Sequence, residues 1–240
     1  MKEQIIFITT IIISTLLWKK YKDTLYNILK PKSESVPILD YQKIIINKMA
    51  SNLLSLYHCC ISMAFCLFCL FCPNWIFTPK LLFIVSCGYY LYDISNYIKF
   101  TPDFKITSHT FILHHIISII TLLFLLEPSD IDKRNFMFGF LLAELSNVPL
   151  YLCYYLKKLY EYRKTENISL EILTHYKFLI DELTLVELIF YIIFRTILPI
   201  PLFFTTESYI LLFCIIFVYI GSLHWTYGMY VQINKIKTIL

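Results

Sequence analysis

Long apolar runs separated by short polar links recur along the whole chain. Seven runs stand out, at 4–18, 53–72, 80–98, 109–126, 136–156, 183–203 and 208–231. A bilayer-spanning helix needs about 20 apolar residues. Backbone groups in hydrocarbon must pair within their own segment, so runs of this kind are helices. A transmembrane barrel would show short segments of alternating polarity, and none are present. The pattern predicts an all-α polytopic membrane bundle with seven transmembrane helices. The first run is followed by Trp18-Lys19-Lys20 where a signal peptide would carry small residues. It therefore reads as an uncleaved anchor, and losing it gives a six-helix alternative with the same topology. The expected division is an N-terminal anchor and linker over 1–44, a transmembrane domain over 45–234 and a short tail over 235–240.

Composition agrees. Hydrophobic residues make up 58%, mean hydropathy is +0.65 and charged residues are only 16%, against about 25% in soluble domains. Too little polar side chain remains to cover a water-facing surface. The 21 Lys and Arg are unevenly placed. Sixteen fall in the polar segments after runs one, three, five and seven, and four in the N-terminus and the other links. By the positive-inside rule the C-terminus is cytosolic. The net charge of +4 thus marks topology, and some basic residues sit where they meet anionic lipid headgroups. It gives no sign of a nucleic-acid partner. Four glycines, none in a phosphate-cradling cluster, exclude P-loop and dinucleotide-binding sites. Cys66, Cys69 and Cys72 have ligand-like spacing within the second run, but no dense set of Cys or His accompanies them. They read as packing residues, and no metal site is expected.

The informative residues are ionisable groups inside apolar runs: His58, Asp93, the pair His114–His115 in "FILHHIISIITLLF", Glu144, Glu187, Arg195 and His224. Such groups cost several kcal/mol in a bilayer unless paired or hydrated, and they normally face the bundle interior or a cavity. Helical spacing puts His114 in line with Ser118 and Thr121, and turns His115 about 100° away. Asp93 shares a face with Tyr89, Tyr90 and Tyr97, whose hydroxyls suit its oxygens. Either Asp93 or Glu144 would neutralise Arg195. Glu187 reads as solvated near a helix end. Pro149 removes a backbone donor one turn after Glu144. A neutral imidazole oriented by a carboxylate takes a proton from an amine or hydroxyl, and so suits acyl transfer or hydrolysis. The same residues also suit an interhelical hydrogen-bond network that fixes packing.

Six segments carry a family resemblance: "SNLLSLYH" at 51–58, "GYYLYD" at 88–93, "HHIISIITLL" at 114–123, "AELSNVP" at 143–149, "FRTILP" at 194–199 and the Trp225 region. In this order they resemble the TLC domain of the TRAM, Lag1 and CLN8 proteins, and are most similar to the smaller TLC-domain-containing proteins. The resemblance implies a compact lipid-handling or lipid-sensing membrane domain in the endoplasmic reticulum or a host intracellular membrane. In the acyltransferases of that family a His pair works with acidic residues downstream. Here the segment with Glu144 lacks the clustered aspartates of the ceramide synthases.

The resulting expectation is a protein that binds, senses or modifies membrane lipid through a polar intramembrane cavity. Its catalytic candidates are His114, His115, Asp93 and Glu144; its lipid-binding candidates are Arg195, Tyr89, Tyr97, His58 and His224. No resident cofactor is expected. The alternatives are an N-acyltransferase of sphingoid bases, with acyl-CoA as co-substrate, and a non-catalytic structural or lipid-trafficking membrane protein.

Overall fold

In a computed structural model, residues 2–31, 39–72, 77–100, 106–126, 130–166 and 168–237 are described, and they are helical almost throughout. The helices are α1 (Lys2–Leu29), α2 (Asp40–Phe71), α3 (Phe77–Phe100), α4 (Ile106–Leu122), α5 (Asp130–Thr165), α6 (Leu170–Phe190), α7 (Leu202–Thr205) and α8 (Tyr209–Lys237). A 3₁₀ turn, Leu123–Leu126, extends α4, and a wide π-helical segment, Tyr191–Ile197, extends α6. The links at 73–76, 101–105 and 127–129 lie outside the described residues.

Four stretches are both long and apolar enough to cross a bilayer: Asp40–Phe71, Asp130–Thr165, Leu170–Thr205 and Tyr209–Val231. They contain the second, fifth, sixth and seventh expected spans. The other three expected spans are helical but weaker in this respect. In α1 the apolar run stops at Lys19, α3 is diluted by Asp93 and its tyrosines, and α4 has 17 residues. The fold class is thus helical with four clear spans, and the remaining helices complete the bundle around them.

Two helices carry the bundle. α2 and α5 form its most extensive contact, α6 packs on the other side of α5, and α1 lies along α3 and α2. Gly88 makes the α1–α3 approach possible. A Cβ there would overlap the Ser14 side chain and sit 3.0 Å from the Thr15 backbone nitrogen, so only glycine allows this closeness. Trp18 then fills the corner, donating its indole N–H to the Val85 carbonyl at 3.0 Å. The run that reads as an anchor is therefore packed into the domain through a buried aromatic anchor. The core runs from Trp18 through Leu54, Leu82, Phe83 and Tyr89 to Leu122, Phe136 and Leu211. Cys66 and Cys69 lie within it.

The outer faces are oily. Phe213, Ile220 and Tyr227 of α8 are strongly exposed, as are Ile6, Leu17 and Ile28 of α1. Single exposed apolar residues are ordinary in soluble proteins, but faces this continuous need a nonpolar surround.

Where α6 ends, the chain turns sharply. The Leu198 N–H reaches back five residues to Ile193, and Pro199 and Pro201 end the wide helix. Asp132, at the start of α5, then accepts the backbone N–H groups of Glu207 at 2.9 Å and Ser208 at 3.1 Å. One buried carboxylate thereby caps α8 from another helix, satisfying donors that a helix start otherwise leaves bare.

Candidate functional site

Four helices bring the ionisable residues into one buried layer, with α5 supplying Glu144. α3 supplies Tyr89, Tyr90 and Asp93, α4 supplies the two histidines, and α2 supplies His58, Ser55, Cys59 and Ser62. Asp93 Oδ2 accepts a hydrogen bond from His115 Nε2 at 3.0 Å. His115 is buried and the Asp93 side chain is 15% exposed, so the pair sits at a polar edge of the interior. The carboxylate holds the proton on Nε2, which makes Nδ1 the basic nitrogen of that ring. Tyr89 Oη lies 2.7 Å from Ser55 Oγ and 3.5 Å from Asp93 Oδ2.

A second acid–imidazole group lies alongside. Glu144 is fully buried and accepts from the Cys59 thiol at 2.8 Å and the Tyr90 hydroxyl at 3.3 Å. His58 Nδ1 is 3.7 Å from the same carboxylate. Its Nε2 is within 3.2 Å of Ser86 Oγ and 3.1 Å of Ser62 Oγ. The His58 ring stacks on Tyr89 at 3.9 Å, and Trp18 meets both edge-on. Tyr90 joins the two groups, its ring lying edge-on to His115 with centroids 5.1 Å apart.

Arg195 departs from expectation. Neither Asp93 nor Glu144 pairs with it. Its Nε donates to Ser146 Oγ at 2.7 Å, and Nη2 donates to Asn147 Oδ1 at 2.8 Å and to the Ala143 carbonyl at 3.1 Å. The guanidinium also lies 5.0 Å from the Tyr191 ring centroid. The acids are turned elsewhere, Glu144 by Cys59 and Tyr90, Asp93 by His115. The wide turn carrying Arg195 aims it instead at the face of α5 that presents Ser146 and Asn147, just before Pro149. Glu187, read as solvated, is in fact buried, at 4% exposure in α6.

Two recesses flank the layer. One is a cavity of about 120 Å³ between α4, α5, the π segment and α8. Its wall is mostly apolar and takes in His114, Glu144, Tyr90 and Arg195. The other, about 1130 Å³, opens where α1, α2, α3 and α5 present Lys22, Lys43, Lys48, Lys99, Lys157 and Lys158, and it has Asp93 and Tyr97 in its wall. The adjacent histidines therefore serve different sides. His115 bonds Asp93, which stands in the wall of the lysine-lined vestibule, while His114 faces the apolar recess and the ring of Trp225, 5.7 Å away. His224 is exposed on α8 and belongs to neither recess.

Sequence reasoning passed over Cys59, Ser62, Ser86 and Trp18. Small polar residues carry little signal, because they bond to carbonyls of their own helix as readily as to a site. Trp18 looked like a boundary residue because two lysines follow it.

These features define a class: a multi-pass helical membrane protein with an acid–imidazole layer buried between an apolar recess and a basic vestibule. The family model described as the TLC domain matches residues 48–233, and the chain belongs to that family. No curated protein and no solved structure gives a significant match. The matched region begins within α2, so α1, with Ser14, Trp18 and Lys22, lies outside it.

Proposed function

We propose that the protein binds membrane lipid in the recess between α4, α5 and α8, with the acid–imidazole layer meeting the polar part of the lipid. The recess itself carries this reading. Its cavity of about 120 Å³ is smaller than the roughly 300–1,000 Å³ of most small-ligand sites, but like them it pairs an apolar wall with a few convergent polar groups. A hydrogen-bond network serving packing alone would leave a filled interior. Membership of the TLC family, whose members work in lipid metabolism or lipid sensing, supports the same reading. The test is to purify the full chain and a recess-filling variant, Ser118→Trp, and to identify retained lipids by mass spectrometry. Wild type retains a defined lipid and the variant loses it. A folded wild-type sample with no retained lipid overturns the proposal.

A second reading, acyl transfer from acyl-CoA to an amine or hydroxyl, draws on the vestibule. Its lysines suit a phosphate-bearing co-substrate, and Asp93, the partner of His115, stands in its wall. In that reaction His115 Nδ1 takes the proton of the attacking amine as the new C–N bond forms. The thiolate leaves with the electron pair of the broken C–S bond and recovers the proton from the imidazolium. Adding acyl-CoA and a sphingoid base to the purified chain tests it directly. Product formed by wild type and lost in His115→Ala supports acyl transfer. Retained lipid without product leaves binding as the function.

A further inference from the structure

Arg195 is 5% exposed, and every hydrogen bond it makes goes to a neutral group: a hydroxyl, a side-chain amide oxygen and a backbone carbonyl. Its Nη1 is buried and has no hydrogen-bond partner among the described residues. The residue lies in the wall of the apolar recess. A buried guanidinium held without an anion is costly, because its desolvation is offset fully only by an opposite charge. Glu144 shares the recess wall, but its two oxygens already accept from Cys59 and Tyr90. One edge of the guanidinium is thus left without a partner in a residue of the recess wall.

We infer that the recess takes a long-chain lipid with a small oxyanion head, which accepts the Arg195 Nη1 hydrogen bond while the chain lies along the apolar wall of α8. This rests on the lipid-binding reading above and names its ligand class. A planar guanidinium fits carboxylate and phosphate oxygens. The neutral partners on Nε and Nη2 hold the plane in place for such a head. His114, in the same wall, is a further donor or acceptor for it.

The test compares three ligands with one chain type on the full-length protein in neutral detergent: oleate, 1-oleoyl-lysophosphatidate and oleyl alcohol. Binding is read by tryptophan fluorescence and by thermal shift. Wild type should bind at least one of the two anions about tenfold more tightly than the alcohol, a ratio in keeping with one hydrogen bond to a charged group. Whichever anion binds more tightly identifies the head as carboxylate or phosphate. Arg195→Gln should erase the preference, with alcohol binding retained. The wild-type comparison stands even if that variant fails to fold. Equal affinity for all three ligands in wild type, or an anion preference that survives Arg195→Gln, overturns the inference and leaves lipid binding intact. Binding of none of the three, together with no retained native lipid, overturns both.

Discussion

The vestibule and the recess lie on either side of one polar layer and handle charge in opposite ways. The vestibule gathers six lysines with Asp23, Asp93 and Glu161, and several of its charges are hydrated or paired locally. Lys158 meets Glu161 at 2.6 Å, one helical turn along α5. Such surface pairs contribute only about 0.3–0.5 kcal/mol, and water supplies what they lack. The recess has one cation, Arg195, shut away from water and braced by neutral groups. A lysine at the wet end needs no counter-charge; the arginine in the oily half does. Electrostatics in the vestibule should therefore be long-ranged and screened by salt, and in the recess short-ranged and insensitive to it.

The largest effect should come from the layer between them. Replacing Glu144 by Leu strands the Cys59 thiol, the Tyr90 hydroxyl and the His58 ring, and should lower stability by about 3 kcal/mol, as expected when one partner of a buried network is removed. A melting curve in detergent checks this, and an unchanged midpoint would mean the layer is not the bundle's brace. Next comes the seam that carries α1. Gly88→Ala places a Cβ against Ser14 and should cost about 2 kcal/mol by overpacking. Ser14→Gly in the same chain should restore part of that loss, because the Ser14 Oγ and Cβ contacts disappear while the Thr15 nitrogen remains close.

Smaller effects separate the two recesses. Lys48→Gln with Lys157→Gln should weaken binding of a phosphate-bearing ligand at the vestibule by about 1 kcal/mol per lysine at low salt. Raising the salt should shrink that difference, while oleate binding in the recess stays put. Loss of oleate binding in this variant would merge the two sites into one. The smallest effect belongs to Asp40, which is fully exposed and 2.8 Å from Lys43. The hydrogen bond and charge of Lys43 hold its carboxyl below the usual carboxylate range. Because the folded value is depressed, any stabilisation exists above the ordinary carboxylate pKa and fades as the pH falls through the lowered one. Full exposure screens it, so Asp40→Asn and wild type should give superimposable melting curves at pH 7, and a measurable gap there would place Asp40 in a structural role.

The helices were legible because membrane spans are written in apolar runs that few other structures need. The Asp93–His115 pair was also within reach, since an acid and an imidazole in oil have few places to go. Glu144, His58 and Tyr89 were legible as candidates too, but the small polar members of the layer were hidden. Cys59, Ser62 and Ser86 look like any small residue in a membrane helix. Ser55 and Thr121 show the alternative such groups always have, bonding to the carbonyls of Ser51 and Ile117 in their own helices. The partners of Arg195 were missed for a different reason. Charge complementarity pointed to a carboxylate, but direction is set by the wide turn at Tyr191–Ile197, and a helical periodicity argument assumes regular turns. The role of α1 was equally hard to see, because the Gly88 contact depends on a neighbour 74 positions away in sequence.

The central claim is that a lipid chain lies in the recess beside the polar layer. Photocrosslinking with a diazirine-bearing oleate, followed by peptide mapping of the full chain, tests it most directly. Labels on the inward positions Ser118, Val218 and Ser222, competed away by unlabelled oleate, are the expected result. Labels confined to the outward positions Phe213, Ile216 and Ile220, with no competition, would show that the lipid only coats the bundle and would contradict the account.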